Sequence, residues 1–236
     1  MKIDIWSDFG CLFCFIGKKR LEQALSQFPM GDKVEIVYHS YQLNPHAENR
    51  AISAEETAPK KGMTVKQLKD KQAQVARWAK SETGIDIDFE SVITANTFDG
   101  HRLVHFAANS GKGVAMTERL MRAYLSDSMN IADREVLISL SGEVGLNERE
   151  AAEMLQSNAY KDQVHADIAK ARNMNVTGVP FFLFNNKYAI PGAQSEEAFL
   201  ETLHLIWDEE KQANNPEIQK EEAKGDGICT DGSCDL

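Results

Sequence analysis

A change of period at residue 11 constrains this chain more than any other feature. KIDIWS, residues 2–7, alternates Ile3 and Ile5 against Lys2, Asp4 and Trp6, which predicts a strand. From Cys11 the apolar positions fall at helical spacing, through Phe13 or Cys14, Ile16, Leu21, Ala24–Leu25 and Phe28, until Pro29 and Gly31 end the run. VEIVYHSYQL, residues 34–43, alternates again through Val34, Ile36 and Tyr38. The opening therefore reads β-α-β, with Cys11 and Cys14 where the first strand enters the first helix.

Strand signals then fade between about 46 and 172. Pro59 and Gly62 mark a loop. A capping box, Thr64 to Gln67, starts a helix that stops at Gly84, with Val65, Leu68, Val75 and Ala79 as its apolar stripe. IDIDF, 85–89, reads as a short extended piece. Further helices are predicted over 98–110, 114–127, 133–144, 148–157 and 160–173, with Asp133 and Asn147 as caps and Gly111 and Gly145 as stops. VPFFLFNNKYAIPG then reads as a hairpin turning at Asn185–Asn186, followed by a helix over about 195–212. The polar run 213–228 has no apolar period and reads as a flexible linker ending in Cys229 and Cys234. This order is α/β: a thioredoxin fold with an inserted all-α helical domain and a flexible C-terminal tail. Residues 1–45 and 174–212 would form the thioredoxin-like domain, 46–173 the helical insertion and 213–236 the tail.

The 236 residues carry a formal charge of -10 and no basic stripe, which argues against nucleic acid or an anionic membrane as partner. No run approaches the ~20 apolar residues of a membrane span. The opening lacks a secretory apolar core, so a cytoplasmic setting is expected. There a Cys-x-x-Cys is catalytic or metal-binding more often than a structural staple.

A cysteine capping a helix meets unpaired N–H groups and the positive end of the helix dipole. Both favour a thiolate. Cys11 would then be the exposed nucleophile. Cys14, about one turn on, would sit deeper and resolve a mixed disulfide. Leu12 and Phe13 between them carry no charge, so a moderate depression of the Cys11 pKa is expected. A metal site and two inert thiols remain the other readings of the pair. Pro180 follows Val179 at the start of the hairpin. In a thioredoxin fold a proline there is cis and faces the cysteines, and the preceding residue offers backbone groups to an extended peptide.

The runs Cys11-Leu12-Phe13-Cys14-Phe15-Ile16-Gly17, Tyr41-Gln42-Leu43-Asn44-Pro45, Asn96-Thr97-Phe98-Asp99-Gly100-His101-Arg102-Leu103 and Gly178-Val179-Pro180 resemble the DsbA-like thioredoxin superfamily, and within it the FrnE-type oxidoreductases, as does the terminal cysteine pair. The resemblance implies a thiol-disulfide oxidoreductase or isomerase, with Cys11 as nucleophile, Cys14 as resolver and Pro180 as the cis proline. Leu12, Phe13, Val179 and His101 would contact substrate. Where the family usually has Pro-Trp between the cysteines and Tyr after them, this chain has Leu12, Phe13 and Phe15, a departure that changes the aromatic surface and bears on redox potential and substrate preference rather than on the chemistry. Glutathione-dependent relatives, the 2-hydroxychromene-2-carboxylate isomerases and kappa-class glutathione transferases, typically carry serine at the Cys11 position. They define the alternative function.

No cofactor is expected. The expected partners are protein or peptide disulfides and a thiol reductant such as glutathione, and the chain is expected as a monomer or homodimer. Cys229 and Cys234 read as a secondary redox pair on a tether of about 20–24 Å root-mean-square reach. The four cysteines would also fit one tetrahedral zinc. His101 reads either as a groove residue or as a core histidine. A peptide-binding holdase, using Phe9, Phe13, Phe15, Val179 and Phe181 as an apolar groove, is a further class. Met116, Met121 and Met154 read as core.

Overall fold

The computed structural model describes residues 1–213. The predicted tail pair, Cys229 and Cys234, lies outside them, as does nearly all of the predicted linker. Residue 213 itself closes the last helix.

Strand β1 (Lys2–Ser7) is central in a four-stranded sheet. It pairs in parallel with β2 (Glu35–Ser40) and antiparallel with β5 (Phe181–Phe184), and β6 (Tyr188–Pro191) lies outside β5. The register sets Ile5 beside Tyr38 on one side and Phe182 on the other. Asn185 and Asn186, both at positive φ, make the predicted turn between β5 and β6. Helix α1 (Leu12–Gln27) crosses from β1 to β2. Helix α9 (Glu196–Ala213) packs beside it on the same sheet face, over Ile3, Ile5, Phe182 and Phe184.

Alternation in β1 marks two buried faces rather than one buried and one wet. Asp4 and Trp6 are buried on the face opposite Ile3 and Ile5, where Trp6 packs with Ala171, Val176 and Leu183. Ala171 belongs to α8 (Lys161–Asn173), which covers that face. A strand in mid-sheet with helices on both sides must bury both side-chain sets, polar ones included.

Besides α8, residues 46–173 hold the helices α2 (Ala54–Lys60), α3 (Val65–Thr83), α4 (Phe98–Ala108), α5 (Gly113–Leu125), α6 (Arg134–Glu143) and α7 (Glu148–Gln156). The capping box on α3 forms, and Gly84 ends it in the left-handed conformation. Asp133 and Asn147 cap α6 and α7 as predicted. Met116, Met121 and Met154 are buried among these helices. Two features depart from the sequence reading. The predicted loop around Pro59 holds α2, capped by Ser53, with Pro59 inside it, one residue before its end, where it forgoes one backbone hydrogen bond. The insertion is also not purely helical: β3 (Arg50–Ala51) pairs with β4 (Ile93–Thr94). Two-residue strands leave no periodicity to read. Residues 85–88 carry no regular strand.

The Cys11 end of α1 is where the two regions meet. Phe9, Cys11, Cys14 and Phe15 pack in one cluster with Leu103, Leu120 and Met121 of the insertion. The opposite end of α1 packs with the sheet and α9.

Candidate active site

Cys11 is the N-cap of α1, with φ -94 and ψ 105. Its Sγ accepts a hydrogen bond from the Cys14 N–H at 3.4 Å. The loop delivering it is set by Asp8, a buried residue that the sequence reading passed over. Asp8 Oδ1 accepts from Phe9 N at 2.9 Å and Oδ2 from Leu43 N at 2.7 Å, while its carbonyl accepts from Cys11 N at 3.2 Å. Asp8 thus ties the cysteine loop to the Tyr41–Leu43 segment. The available signal was an Asp directly after a strand, where its side chain can cap a turn.

Across the site, the Val179–Pro180 bond is cis. The Cys11 thiol donates to the Val179 carbonyl at 3.5 Å. Pro180 is buried against α1 at Gly17, where a β-carbon would come within 3.2 Å of Pro180 Cγ and 3.1 Å of Phe182 Cζ. A side chain there would press on the proline loop, and glycine lets the helix approach it without displacing it. At Gly10 a β-carbon would likewise meet the Tyr124 ring at 2.9 Å.

The two thiols are unequal. Cys11, expected to be exposed, is buried at 7% exposure because Val179 and the insertion helices pack around the start of α1, and Cys14 lies deeper, as expected, at 2%. The hydrogen bond from the Cys14 thiol lowers the Cys11 pKa, helped by the Cys14 and Phe13 N–H groups, while burial and the Asp8 charge oppose it. No cationic side chain is among these influences, and neither Leu12 nor Phe13 carries a charge. Burial pushes the Cys14 thiol well above its ordinary range. Such a pair splits into a nucleophile and a guarded second thiol.

The structure brings Cys11, Cys14, Val179 and Pro180 together. Leu12 is half-buried at the first turn of α1, and Phe13 is 55% exposed beside Trp78 of α3, with ring centroids 5.8 Å apart. His101 lies elsewhere than a groove. It is 3% exposed, stacked on Phe9, with Nε2 donating to the Tyr41 carbonyl at 2.9 Å. The proposed apolar groove shrinks accordingly. Phe9 and Phe15 are core residues, Phe15 lying under Lys19 and Arg122, so only Phe13, Val179 and Phe181 remain accessible. A cavity of ≈ 160 Å³ opens beside Gly10, lined by Asp8, Leu43, Asn44, Thr94 and Tyr124 among others. Among the described residues no group of three or more His, Cys, Asp or Glu side chains is placed to hold a metal ion. The four-cysteine zinc arrangement needs Cys229 and Cys234, outside those residues.

A cysteine pair at the N-terminus of the helix after β1, facing a cis proline before β5, defines a thioredoxin-fold protein with a helical insertion. Residues 2–204 match the DSBA-like thioredoxin domain, and the chain belongs to that family. It is 28% identical over 202 residues to the uncharacterized protein YwbO of Bacillus subtilis, covering 84% of this chain and 92% of that one. The crystal structure of a probable DsbA oxidoreductase, SCO1869 from Streptomyces coelicolor, superposes with a TM-score of 0.80 at 32% identity, covering 89% of this chain and 91% of that one. The cytosolic disulfide reductase DsbM from Pseudomonas aeruginosa shares the fold at 17% identity, with a TM-score of 0.58 over 90% of this chain and 100% of its own. A second structure of DsbM was solved with GSH.

Proposed function

We propose that this chain is a cytoplasmic thiol-disulfide oxidoreductase acting on protein or small-molecule disulfides, with Cys11 as nucleophile and Cys14 as resolving thiol. The observation that carries this reading is the Cys11 sulfur itself. It is held between the Cys14 N–H at 3.4 Å and the Val179 carbonyl at 3.5 Å, at a helix N-terminus opposite a cis proline. A substrate disulfide laid along Val179 meets the Cys11 thiolate. One substrate sulfur leaves as a thiolate and the other joins Cys11. Cys14 then attacks Cys11, and the second substrate thiol departs. Phe13 and the cavity beside Gly10 give an extended substrate apolar and polar contacts near the sulfur.

The described residues include no helix long and apolar enough to cross a membrane. A reducing cytoplasm would regenerate the dithiol from glutathione, the redox partner in this reading. Its likeness to a cytosolic disulfide reductase supports that setting. Cys229 and Cys234 are proposed to relay electrons between such a reductant and Cys11. The reading as a glutathione-dependent isomerase or transferase needs no second thiol, so Cys14 separates the two.

The reduction potential tests the proposal. The protein is equilibrated in graded glutathione buffers, its thiols are trapped, and its disulfides are mapped by mass spectrometry. A Cys11–Cys14 disulfide forming near about -270 mV marks a reductase, and one near about -120 mV an oxidant. A pair that never closes at any poise overturns the reading.

A further inference from the structure

The loop that delivers Cys11 also walls a cavity. Gly10 borders the ≈ 160 Å³ space beside the site, and its Cα is one peptide, about 3.8 Å, from that of Cys11. A cavity of about 150 Å³ is large enough to bind benzene, so this one has the volume for one long side chain. A substrate cysteine bonded to Cys11 therefore has two features within a residue's reach, the Val179 carbonyl and this cavity.

The polar walls differ in what they still offer. Thr94 Oγ1 is committed to the Glu48 and Arg50 carbonyls at 2.7 and 2.8 Å. Asn44 Oδ1 accepts from His46 N at 3.2 Å, and Thr97 Oγ1 from Gln42 Nε2 at 3.5 Å. The Tyr124 O–H donates to no group among the described residues. Asp8 is 3% exposed, and its two oxygens take the Phe9 and Leu43 N–H groups at 2.9 and 2.7 Å. An ionised carboxylate can accept about four hydrogen bonds, so Asp8 keeps acceptor capacity. His101 Nε2 lies 3.4 Å from Oδ1 but already donates to the Tyr41 carbonyl at 2.9 Å. No Lys, Arg or His is among the described residues that line the cavity. Its wall therefore carries a fixed negative charge and no cation. The remaining walls are apolar: Ala47, Ala95 and Leu43. Leu43 is 52% exposed, one of three large apolar side chains so exposed among the described residues, and Phe13 beside Cys11 is another. An apolar stem can lie on such a surface while its N–H-bearing end reaches a carboxylate, and Lys and Arg side chains are built that way.

We propose that this cavity is a specificity subsite that takes a Lys or Arg side chain next to the reacting cysteine of a peptide or protein disulfide, with its stem on Leu43 and its charged end at Asp8 and Tyr124. The inference rests on the oxidoreductase reading above and names the substrates it favours. An Asp or Glu side chain in the same place would meet Asp8 with no cation in the wall to offset the repulsion. The formal charge of -10 on the whole chain acts in the same direction, drawing basic segments towards the site.

The test follows capture alone, in full-length protein carrying Cys14→Ser, Cys229→Ser and Cys234→Ser. Short blocked peptides present a cysteine joined by a disulfide to a nitrobenzoate thiol, with Lys, Gln or Glu as the neighbouring residue. Attack of Cys11 on the peptide sulfur frees the coloured thiolate, and intact mass confirms the peptide on Cys11. Each rate is divided by that of mercaptoethanol with the same peptide, which removes the intrinsic effect of the neighbouring charge. The Lys peptide is expected to react about tenfold or more faster than the Glu peptide. A ratio near one overturns the subsite. Ala47→Lys places a cation in the wall and Asp8→Asn removes the charge, so each should bring the ratio down towards one. The uncharged Gln peptide reports in each variant that Cys11 still reacts. A native ratio that persists in Ala47→Lys puts the discrimination outside the cavity and overturns the proposal, and that variant decides should Asp8→Asn fail to fold. A Cys11 that captures none of the three peptides overturns the oxidoreductase reading itself, and the subsite with it. That result is distinct from capture that occurs at equal rates.

Discussion

The Cys11 sulfur lies 3.5 Å from the carbonyl oxygen of Val179, across a chain separation of 168 residues. The thiol donates to that carbonyl, so the contact belongs to the protonated state. Once the proton leaves, the sulfur keeps the Cys14 N–H and turns towards substrate. The carbonyl is then free for an incoming peptide N–H, as in strand addition. Cys11→Ser is therefore expected to abolish disulfide exchange, while Cys14→Ser should still capture substrate and accumulate a stable mixed disulfide. Intact-mass analysis after exposure to a peptide disulfide reads both outcomes. A Cys14→Ser protein that turns over normally would contradict the assigned roles.

Alkylation should separate the two thiols by pH. The Cys11 pKa is lowered, chiefly by the Cys14 thiol, and the Cys14 pKa is raised by burial. Only the thiolate reacts, so Cys11 should be the first thiol of the pair modified at neutral pH, losing reactivity as pH falls through its depressed pKa. Cys14 should resist until strongly alkaline conditions. Rates followed by peptide mapping check this. A Cys11 pKa below about 5 would exceed what backbone donors and a neighbouring thiol supply without a cation.

Gly17→Ala tests the approach of α1 to the proline loop. The new methyl would sit 3.2 Å from Pro180 Cγ, 3.1 Å from Phe182 Cζ and 3.4 Å from Ala193 Cα, so the loop must yield. An overpacked contact of this kind costs about 1–3 kcal/mol. Displacing Val179 with Pro180 should also lower the exchange rate. Chemical denaturation and a turnover assay measure the two effects, and an unchanged protein would mean that the loop adapts freely.

Acid stability should depend on a buried cluster on the far face of the sheet. His39 bridges Asp167 and Asp4, and His105 Nε2 lies 3.0 Å from Asp167. Burial alone would raise the Asp167 pKa, but His105, His39 and the Ser40 N–H outweigh it and hold the carboxyl well below the usual range. Asp4 is also lowered, by His39 and then Lys2, against its burial. A carboxyl depressed in the folded state stabilises above its unfolded pKa, about 4, and loses that contribution as pH falls through the folded value. Stability should therefore decline below about pH 4. Asp167→Asn should cost about 2–4 kcal/mol at neutral pH and flatten that acid limb. Urea midpoints across pH give both numbers.

Much of this molecule was legible before any coordinates. The switch from period two to helical spacing at Cys11, the Asn185–Asn186 turn and the caps at Thr64, Asp133 and Asn147 are local signals, because each depends on residues within one turn of the chain. The cysteine pair and its position at a helix start were readable for the same reason, and so was a proline opening β5.

Tertiary structure decided the rest. Phe9, Phe13 and Phe15 look alike in sequence, yet only Phe13 is exposed, because burial depends on which helix of the insertion lies above each ring. Asp8 carried no readable role and His101 two alternative ones, since their partners are Leu43 and Tyr41, brought close only when β1, β2 and α4 assemble. The sequence by itself determined the chemistry, a thiol pair at a helix N-terminus, because that rests on neighbours in the chain. The fold alone decided how deeply each thiol is buried and what surrounds it. Burial and long-range hydrogen bonds are properties of packing, and residues far apart in sequence supply them.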